Sequence, residues 1–390
     1  MRILINTIPL LSPLSGVGRY TSTVSQYLSR LDTENQYTYF YGFYSDKLVV
    51  EDSDSVGGEA NSFNRNMKRV GAVKDVIKKI PVLRDVARAS KSFLTHQSQK
   101  TFDLYFEPNF IPLNVKARKT VVTVHDFSFI SNPEWLPKDR ANYFNKNFFK
   151  KVKAVDKVIV VSDFIKGEAV SKLGLPEDKV EVIHHGYDRS IFRSYDEEEL
   201  LPVKRKFNLP EKFILSVGSI EPRKNLERMI EAYFSLDKEV RKEFKLVLVG
   251  FSGWRNRRVM KLLKEVGDEV VYLGYVSDVD LGKLYNLATL FIFPTLYEGF
   301  GLPALEAMAS GCPSVVSNVA SLPEVCGDAV RYVEPLDVGS ISDGIRDVIE
   351  NESLRNNLKA KGLKRANLFS WPESAKKHMD LFNAVLRSAK

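Results

Sequence analysis

Short runs of valine, isoleucine, leucine and aromatic residues alternate with helical patterns along this chain of 390 residues. Such alternation predicts an α/β fold, in which helices connect the strands of parallel sheets. The apolar runs form two series, and the charged stretch 188–211 between them has no strand pattern. Because 390 residues exceed the usual size of one domain, we expect two domains joined near this stretch.

The two series predict a cleft between two Rossmann-like, doubly wound domains. Such sheets bind ligands at the carboxyl ends of their strands. We expect a first domain at 1–190, a second at 205–370 and a last helix at 371–390 that packs back toward the first. The predicted strands are 2–6, 37–43, 102–107, 120–126, 157–162 and 180–186, then 212–219, 245–250, 270–275, 290–295, 314–317 and 330–335.

Two glutamates fall in different local structures within one stretch, FPTLYEGFGLPALEAMASGCPSVVS at 293–317. Glu298 lies in a glycine-containing loop after a strand, and Glu306 lies early in a helix that Pro303 favours and Gly311 ends. The loop and the helix N-terminus present free amides to an anion. A ligand with phosphate and hydroxyl groups fits this arrangement, and the alternative is a turn with a purely structural role.

This stretch resembles the donor-binding E-x7-E motif of the retaining glycosyltransferases of the family-4 type, which have the GT-B fold. The resemblance extends over nearly the whole chain and is strongest to bacterial mannosyl- and rhamnosyltransferases that build O-antigen or capsular polysaccharide. It implies that the first domain binds the acceptor and the second the nucleotide-sugar donor. Further segments that carry it are GVGRYT (16–21), TVHDFSFISNPEWLP (123–137), VIVVSDFIKGE (158–168), VIHHGYD (182–188), SVGSIEPRKNLERMIEAY (216–233) and FSW (369–371).

The resemblance assigns roles to residues of the second domain. Lys224 would bind the donor diphosphate and stabilise the leaving phosphate. Glu298 would contact hydroxyls of the transferred sugar, and Glu306 would bind both ribose hydroxyls, as acidic residues do in dinucleotide sites. Backbone amides expected to meet sugar and phosphate are those of Phe300, Gly301 and Leu302.

Three further donor-site residues are less tightly specified by the pattern. Arg223 either shares the diphosphate with Lys224 or points to solvent. Many relatives place an arginine directly after the glycine of the VG pair, where this chain has Ser219, which offers only a hydroxyl. Tyr275 lies in the segment 273–278, along which the base is expected to stack or to form hydrogen bonds.

The first domain is expected to complete the site. In the family the loop around Gly16 and Gly18 approaches the donor phosphate, and glycine permits that approach. The loop lacks the third glycine of a dinucleotide fingerprint, which argues against a Rossmann-type oxidoreductase.

The histidines at strand ends are expected to differ in role. The resemblance makes His125 a contact to the sugar at the reacting centre, and a packed structural histidine is the alternative. Asp126 beside it either orients the imidazole or caps a turn. His184 and His185 are expected to be structural, and the alternative is that one of them lines the cleft.

No metal and no cofactor are predicted. An Asp-x-Asp pattern occurs at 52–54, in a polar loop, and at 278–280, where it opens a predicted helix. The second is interpreted as helix capping, with Ser277 or Asp278 at the N-cap. The sequence contains no cluster of His and Cys with metal-ligand spacing.

The net charge of +8 is concentrated at 65–100, where ten Lys or Arg accompany two acids. Apolar residues recur there at helical spacing, which predicts a basic amphipathic helical segment. It either packs on the first domain with a solvated polar face or contacts an anionic membrane surface. Nucleic acid is disfavoured as a partner because no recognition motif accompanies the charge.

The chain is expected in the cytoplasm, peripheral on the inner face of the cytoplasmic membrane. It has two cysteines and no signal-peptide cleavage pattern, and no run of 18 apolar residues predicts a membrane span.

The resemblance implies a retaining, metal-independent glycosyltransferase. We expect it to move a hexose, mannose from GDP-mannose, to a hydroxyl of a lipid-linked oligosaccharide in cell-surface polysaccharide synthesis. A donor of the dTDP-rhamnose or UDP-hexose type is the first alternative. A non-catalytic nucleotide-sugar-binding protein on the same fold is the second.

Overall fold

The two series of apolar runs form two separate sheets. In the computed structural model, which describes residues 1–11, 16–49 and 100–387, the predicted α/β fold is confirmed. The first sheet has the order β3-β2-β1-β4-β5-β6-β7, parallel except for the antiparallel edge strand β3. Its strands are β1 (Arg2–Asn6), β2 (Gln36–Phe40), β3 (Tyr44–Ser45), β4 (Phe102–Glu107), β5 (Ala117–Val124), β6 (Lys157–Val160) and β7 (Val180–Val182).

The second sheet is parallel throughout and has the order β10-β9-β8-β11-β12-β13. The chain starts at a central strand and winds outward first to one side and then to the other, which is the doubly wound arrangement. Its strands are β8 (Lys212–Val217), β9 (Phe244–Val249), β10 (Val270–Gly274), β11 (Leu290–Phe293), β12 (Ser314–Ser317) and β13 (Arg331–Val333).

Helices cover both faces of each sheet, which is why the strands are almost continuously apolar. In β5, Val121 packs under α1 and α14, whereas Val122 packs on the other face with α3. The described helices are α1 (Gly16–Leu31), α2 (Ser128–Ser131), α3 (Lys138–Ala154), α4 (Asp163–Leu173), α5 (Glu197–Lys206), α6 (Leu226–Phe234), α7 (Lys238–Glu243), α8 (Arg257–Glu265), α9 (Asp278–Leu287), α10 (Leu302–Ala309), α11 (Leu322–Cys326), α12 (Val338–Glu350), α13 (Glu352–Ala366) and α14 (Trp371–Arg387).

Two predicted strands end three or four residues earlier in the structure, and several others end one or two residues earlier. The predicted strand 37–43 stops at Phe40, because the chain turns where the Tyr41 amide donates to the Phe43 carbonyl and returns as β3. The predicted strand 180–186 stops at Val182, and His185 in the segment after it lines the cleft. The charged stretch between the two series contains α5.

The last helix lies against the first domain. Helix α14 packs along α1, and its buried His378 donates from Nδ1 to the Ser374 carbonyl. The other ring nitrogen is then an acceptor for the Tyr20 hydroxyl, at 2.7 Å. His378 therefore ties α14 to α1 of the first domain.

The basic segment 65–100 lies outside the described residues except for Lys100, as does the Asp-x-Asp pattern at 52–54. Among the helices described, none is long and apolar enough to cross a membrane.

Candidate active site

A cavity of about 1080 Å³ lies between the two domains, at the carboxyl ends of strands from both sheets. The first domain contributes the start of α1 and the segment after β5. The second domain contributes the turns after β8, β9 and β10 and the loop between β11 and α10. Residues predicted for the site that line this cavity are Gly16, His125, Ser219, Arg223, Lys224, Tyr275, Glu298, Phe300, Gly301, Leu302 and Glu306.

The loop before α10 brings the two domains into direct contact. A Cβ on Gly299 would lie 1.9 Å from the carbonyl oxygen of His125, so only glycine allows this approach. The Ser162 hydroxyl, from the first domain, donates to the Gly299 carbonyl at 2.7 Å. Gly301, at φ 96°, then begins α10 with Pro303 in its first turn, as predicted.

Glu298 is buried between two cations. It is 6 % exposed, and its carboxylate accepts from Arg223 Nη1 at 2.8 Å and Lys224 Nζ at 2.6 Å. The Thr295 hydroxyl adds a third contact at 3.2 Å. Burial alone would raise the pKa of Glu298, but Arg223 and Lys224 outweigh it and lower the pKa. Glu298 is therefore an ionised carboxylate and no proton donor at neutral pH.

Both cations sit on the short turn Pro222–Lys224 that follows β8. Lys224 is 9 % exposed, and burial lowers its pKa although Glu298 opposes this. Its ammonium also lies 4.6 Å from the ring centre of Phe293. Arg223 does not point to solvent: it also contacts Glu221 at 3.0 Å and the Tyr297 carbonyl at 3.2 Å.

Glu306 lies in the same cavity in a different environment. It is 4 % exposed, and burial raises its pKa to about 7. Arg19 of α1 contacts it at 3.3 Å and opposes this shift, while Asp278 adds to it. The Tyr285 hydroxyl is 3.5 Å away, at the limit of a hydrogen bond.

His125 has a defined tautomer. Its Nε2 lies 2.8 Å from the Pro108 carbonyl, which can only accept, so Nε2 carries the proton. Burial lowers the pKa of His125, which leaves a neutral ring whose Nδ1 can accept a hydrogen bond from a ligand hydroxyl. Asp126 instead caps the following turn, by accepting from the amide and hydroxyl of Ser128 at 3.0 and 2.7 Å.

The other two strand-end histidines also meet the cleft or its edge. His185 is buried and lines the cavity, and its Nδ1 has no partner among the described residues. His184 Nε2 lies 2.8 Å from a carboxylate oxygen of Glu324, which belongs to the second domain.

Glu324, His184 and Asp163 present possible metal-ligand atoms within 4.8 Å of one another. Both Glu324 oxygens, however, already accept from the amides of Asp163 and Phe164 at the start of α4. This geometry makes Glu324 a helix cap that joins the two domains.

The second Asp-x-Asp pattern caps a helix, as expected. The Ser277 hydroxyl accepts from the Asp280 amide at 3.1 Å and is the N-cap of α9. The two carboxylates are paired with cations: Asp278 with Arg19, and Asp280 with Lys206 at 2.7 Å.

One end of the cavity has an aromatic platform. The rings of Tyr275 and Phe251 stack with centroids 4.7 Å apart and planes 18° from parallel. Tyr275 is 53 % exposed, so a face is available to a ligand. They follow the adjacent strands β10 and β9. Gly18, also predicted for the donor site, is buried within the first turn of α1, behind the cavity wall.

The opposite wall belongs mostly to the first domain and is also aromatic. The indole of Trp254, from the loop after β9, donates to the Trp135 carbonyl at 2.6 Å and lies 5.4 Å from the Arg140 guanidinium. This contact joins the two domains beside the cavity. Phenylalanines that line this wall are Phe110, Phe129 and Phe144.

Sequence reasoning missed Arg19, Phe251 and Trp254. Arg19 stands within the GVGRYT segment, but its spacing gives no sign that it reaches the second domain. Phe251 stands directly after the glycine at the end of β9, as Tyr275 stands directly after the glycine at the end of β10, and this parallel could have identified it. Trp254 lies three residues further along the same loop, without any local pattern.

The two facing Rossmann-like domains, with the cavity between the carboxyl ends of their strands, have the arrangement of the GT-B fold. The chain belongs to the glycosyltransferase family whose two domain models it matches in order. Residues 14–191 match "Glycosyltransferase Family 4" and residues 196–365 match "Glycosyl transferases group 1".

Known proteins are similar along the whole chain. The O-antigen chain mannosyltransferase B of Escherichia coli is 34% identical over 381 residues, covering 95% of this chain and 96% of that protein. Sucrose-phosphate synthase from Thermosynechococcus elongatus superposes with a TM-score of 0.69 at 17% identity, covering 99% of both chains. Anabaena HepE, solved with UDP-glucose, gives 0.69 at 14% identity and covers 98% of this chain and 100% of that one. These two structural likenesses show the GT-B fold.

Proposed function

We propose that this glycosyltransferase transfers mannose from GDP-mannose to a hydroxyl of a lipid-linked oligosaccharide during O-antigen or related polysaccharide synthesis. The observation that carries the proposal is the pairing of Glu298 with Arg223 and Lys224, in the same cavity as Glu306. The similarity to an O-antigen chain mannosyltransferase along the full length supports mannose as the sugar.

The donor would lie along the second-domain wall of the cavity. The base would stack on the Tyr275–Phe251 platform, and the ribose hydroxyls would donate to Glu306. Lys224 and Arg223 would meet the diphosphate, together with amides of the loop before α10. Glu298 would then accept from the hydroxyls of the mannose.

The cation–carboxylate cluster favours reaction with retention and without a covalent sugar–enzyme intermediate. Glu298 is held by two cations, so it serves poorly as a nucleophile. We infer front-face displacement: the acceptor oxygen forms the new glycosidic bond as the bond from the anomeric carbon to the diphosphate breaks. The departing phosphate oxygen takes the acceptor proton, and Lys224 and Arg223 stabilise its charge.

The same two cations remove the need for a metal ion in this proposal. Divalent metals in other nucleotide-dependent enzymes neutralise the developing phosphate charge, and Lys224 and Arg223, which line the cavity, would do so here. Turnover in excess EDTA is therefore expected to equal turnover without it, and a loss restored by Mn²⁺ or Mg²⁺ would contradict this part.

The acceptor would enter along the aromatic first-domain wall. Faces of sugar rings pack well on aromatic side chains, and Trp135, Trp254 and Arg140 offer both apolar surface and hydrogen-bond donors. His125 stands between this wall and Glu298, where its free Nδ1 could accept from a sugar hydroxyl.

A donor panel tests the proposal. Thermal unfolding is measured with GDP, UDP, dTDP and ADP, since a ligand that binds the folded state raises its apparent stability. Turnover is then measured with GDP-mannose, dTDP-rhamnose and UDP-hexoses on a lipid-linked acceptor, and the anomeric configuration is read by NMR. We expect the largest shift with GDP and an α-linked product from α-linked GDP-mannose.

Other outcomes distinguish the alternatives. If dTDP or UDP raises the unfolding temperature most, and the matching nucleotide sugar is turned over, that nucleotide sugar is the donor in place of GDP-mannose. Tight nucleotide binding without turnover of any donor would support the non-catalytic binder. A β-linked product would contradict retention.

We further propose that the protein associates peripherally with the cytoplasmic membrane through its basic segment at 65–100. The support is the local excess of ten basic residues over two acids. Co-sedimentation with anionic vesicles and not with neutral ones is expected, and equal binding to both would contradict it.

A further inference from the structure

Arg19 reaches across the cleft into the donor pocket. It lies in the first turn of α1, in the first domain, whereas both of its carboxylate partners belong to the second. It contacts Glu306 of α10 at 3.3 Å and Asp278 at the start of α9. One guanidinium thus bridges two carboxylates from two helices of the opposite domain.

Glu306 depends on this cation for its charge. It faces Arg19, Asp278 and Tyr285, and of these three groups Arg19 is the cation. Burial and the charge of Asp278 both favour the protonated acid. In a protonated carboxyl, one oxygen carries a proton and acts as a donor. It is therefore a poorer acceptor for two ribose hydroxyls than an ionised carboxylate is.

We propose that Arg19 is a positioning residue that completes the ribose site from the first domain, so that discrimination between ribonucleotides and 2′-deoxyribonucleotides depends on the closed cleft. Arg19 favours the ionised form of Glu306 and orients its carboxylate, and Glu306 contacts the ribose. This inference rests on the donor site proposed above, with Glu306 as its ribose ligand.

A different role for Arg19, as a direct phosphate ligand, makes a different prediction. A phosphate contact strengthens binding of ribo- and deoxyribonucleotides by the same factor, since both carry the same diphosphate. A role through Glu306 strengthens only the binding that the 2′-hydroxyl adds.

The experiment is calorimetric titration of the full chain with GDP, 2′-deoxy-GDP, UDP and 2′-deoxy-UDP. The variants are Arg19→Met, which keeps the aliphatic stem, and Arg19→Lys, which keeps the charge but cannot bridge both carboxylates. Arg193→Met serves as the matched control, because Arg193 pairs with Glu199 on the exposed surface. Thermal unfolding confirms that each variant is folded.

Wild type and Arg193→Met are expected to bind the better ribonucleotide roughly 10-fold tighter than its 2′-deoxy counterpart, the size of a hydrogen bond to a charged group. In Arg19→Met that affinity ratio should fall to about 3 or less. It should rise again at higher pH, because Glu306 is ionised at higher pH. Arg19→Lys should be intermediate.

If Arg19→Met keeps the wild-type ratio of ribonucleotide to 2′-deoxynucleotide affinity, including the case in which both affinities fall by the same factor, the inference about Arg19 is overturned. The donor-site proposal is unaffected by that result. Should Arg19→Met not fold, a wild-type ratio in Arg19→Lys at every pH would overturn the inference about Arg19 as well. Failure of the wild type to bind either GDP or UDP would instead overturn the donor-site proposal on which it rests.

Discussion

Glu298 and Glu306 lie in one cavity and are almost equally buried, yet their surroundings drive their pKa values in opposite directions. Two cations, Arg223 and Lys224, pair with Glu298 and overcome the cost of burial. Glu306 shares the single guanidinium of Arg19 with Asp278, and burial prevails. Burial by itself therefore does not decide the charge of a carboxylate; the number and sharing of its cations do.

The difference matches the two proposed roles. A carboxylate beside the reacting sugar has to stay ionised throughout turnover. A protonated carboxyl there would protonate the donor or would no longer accept hydrogen bonds from the sugar hydroxyls. A carboxylate at the ribose has only to be ionised while the nucleotide is bound.

The largest expected effect is on stability. Glu298→Gln removes the partner of Lys224 and one partner of Arg223, and breaking a buried ion pair costs about 3–5 kcal/mol of the free energy of unfolding. Glu306→Gln replaces a group that is half protonated near pH 7, so its cost at that pH should be roughly 1 kcal/mol or less. Chemical denaturation of both variants checks this, and equal losses would contradict the comparison.

Turnover should show the next largest effect. Lys224→Ala removes a charge that stabilises the leaving phosphate, which is expected to lower turnover by ~100-fold or more. Lys242→Ala, whose ion pair with Glu239 is exposed, is the control and should retain wild-type turnover. Near-normal turnover in Lys224→Ala would remove this residue from the mechanism.

A smaller effect is expected from pH. The pKa of Glu306 is raised to about 7, so this group stabilises the folded protein at low pH and loses that contribution as pH rises through 7. Nucleotide affinity should depend on pH in the opposite direction, because binding needs the ionised carboxylate. The affinity for GDP should therefore fall about 10-fold from pH 8 to pH 6.

Glu306→Gln is the control for this pH profile. A glutamine does not titrate, so the affinity of that variant should be weaker and nearly independent of pH over the same range. A wild-type profile with no dependence, or the same slope in Glu306→Gln, would contradict the assignment.

Much of the fold follows from local patterns. The apolar runs predict both sheets because parallel strands covered on both faces must be continuously apolar. The loop, Pro303 and Gly311 predict where α10 begins and ends, because proline and glycine act through their own backbone geometry. The strand ends at 37–43 and 180–186 were predicted less well, and the first of them is set by a turn between Tyr41 and Phe43 that the apolar run does not reveal.

The site is predictable only as far as its residues share a local motif. Glu298, Lys224 and Arg223 could be named, but their mutual pairing joins residues more than 70 positions apart. Arg19 and Glu306 are 287 positions apart and meet only because the domains face each other. Trp254 joins the two domains through the backbone carbonyl of Trp135, a partner with no signature in the sequence.

The most direct test of the account is a crossed titration of GDP and GDP-mannose into Glu298→Gln and Glu306→Gln, using variants shown to be folded. If Glu306 binds the ribose and Glu298 the mannose, Glu306→Gln weakens both ligands by the same factor. Glu298→Gln should keep the affinity for GDP and lose what the mannose adds. The reverse pattern, or equal weakening of both ligands in both variants, would contradict the assignment of the two carboxylates to opposite ends of one nucleotide sugar.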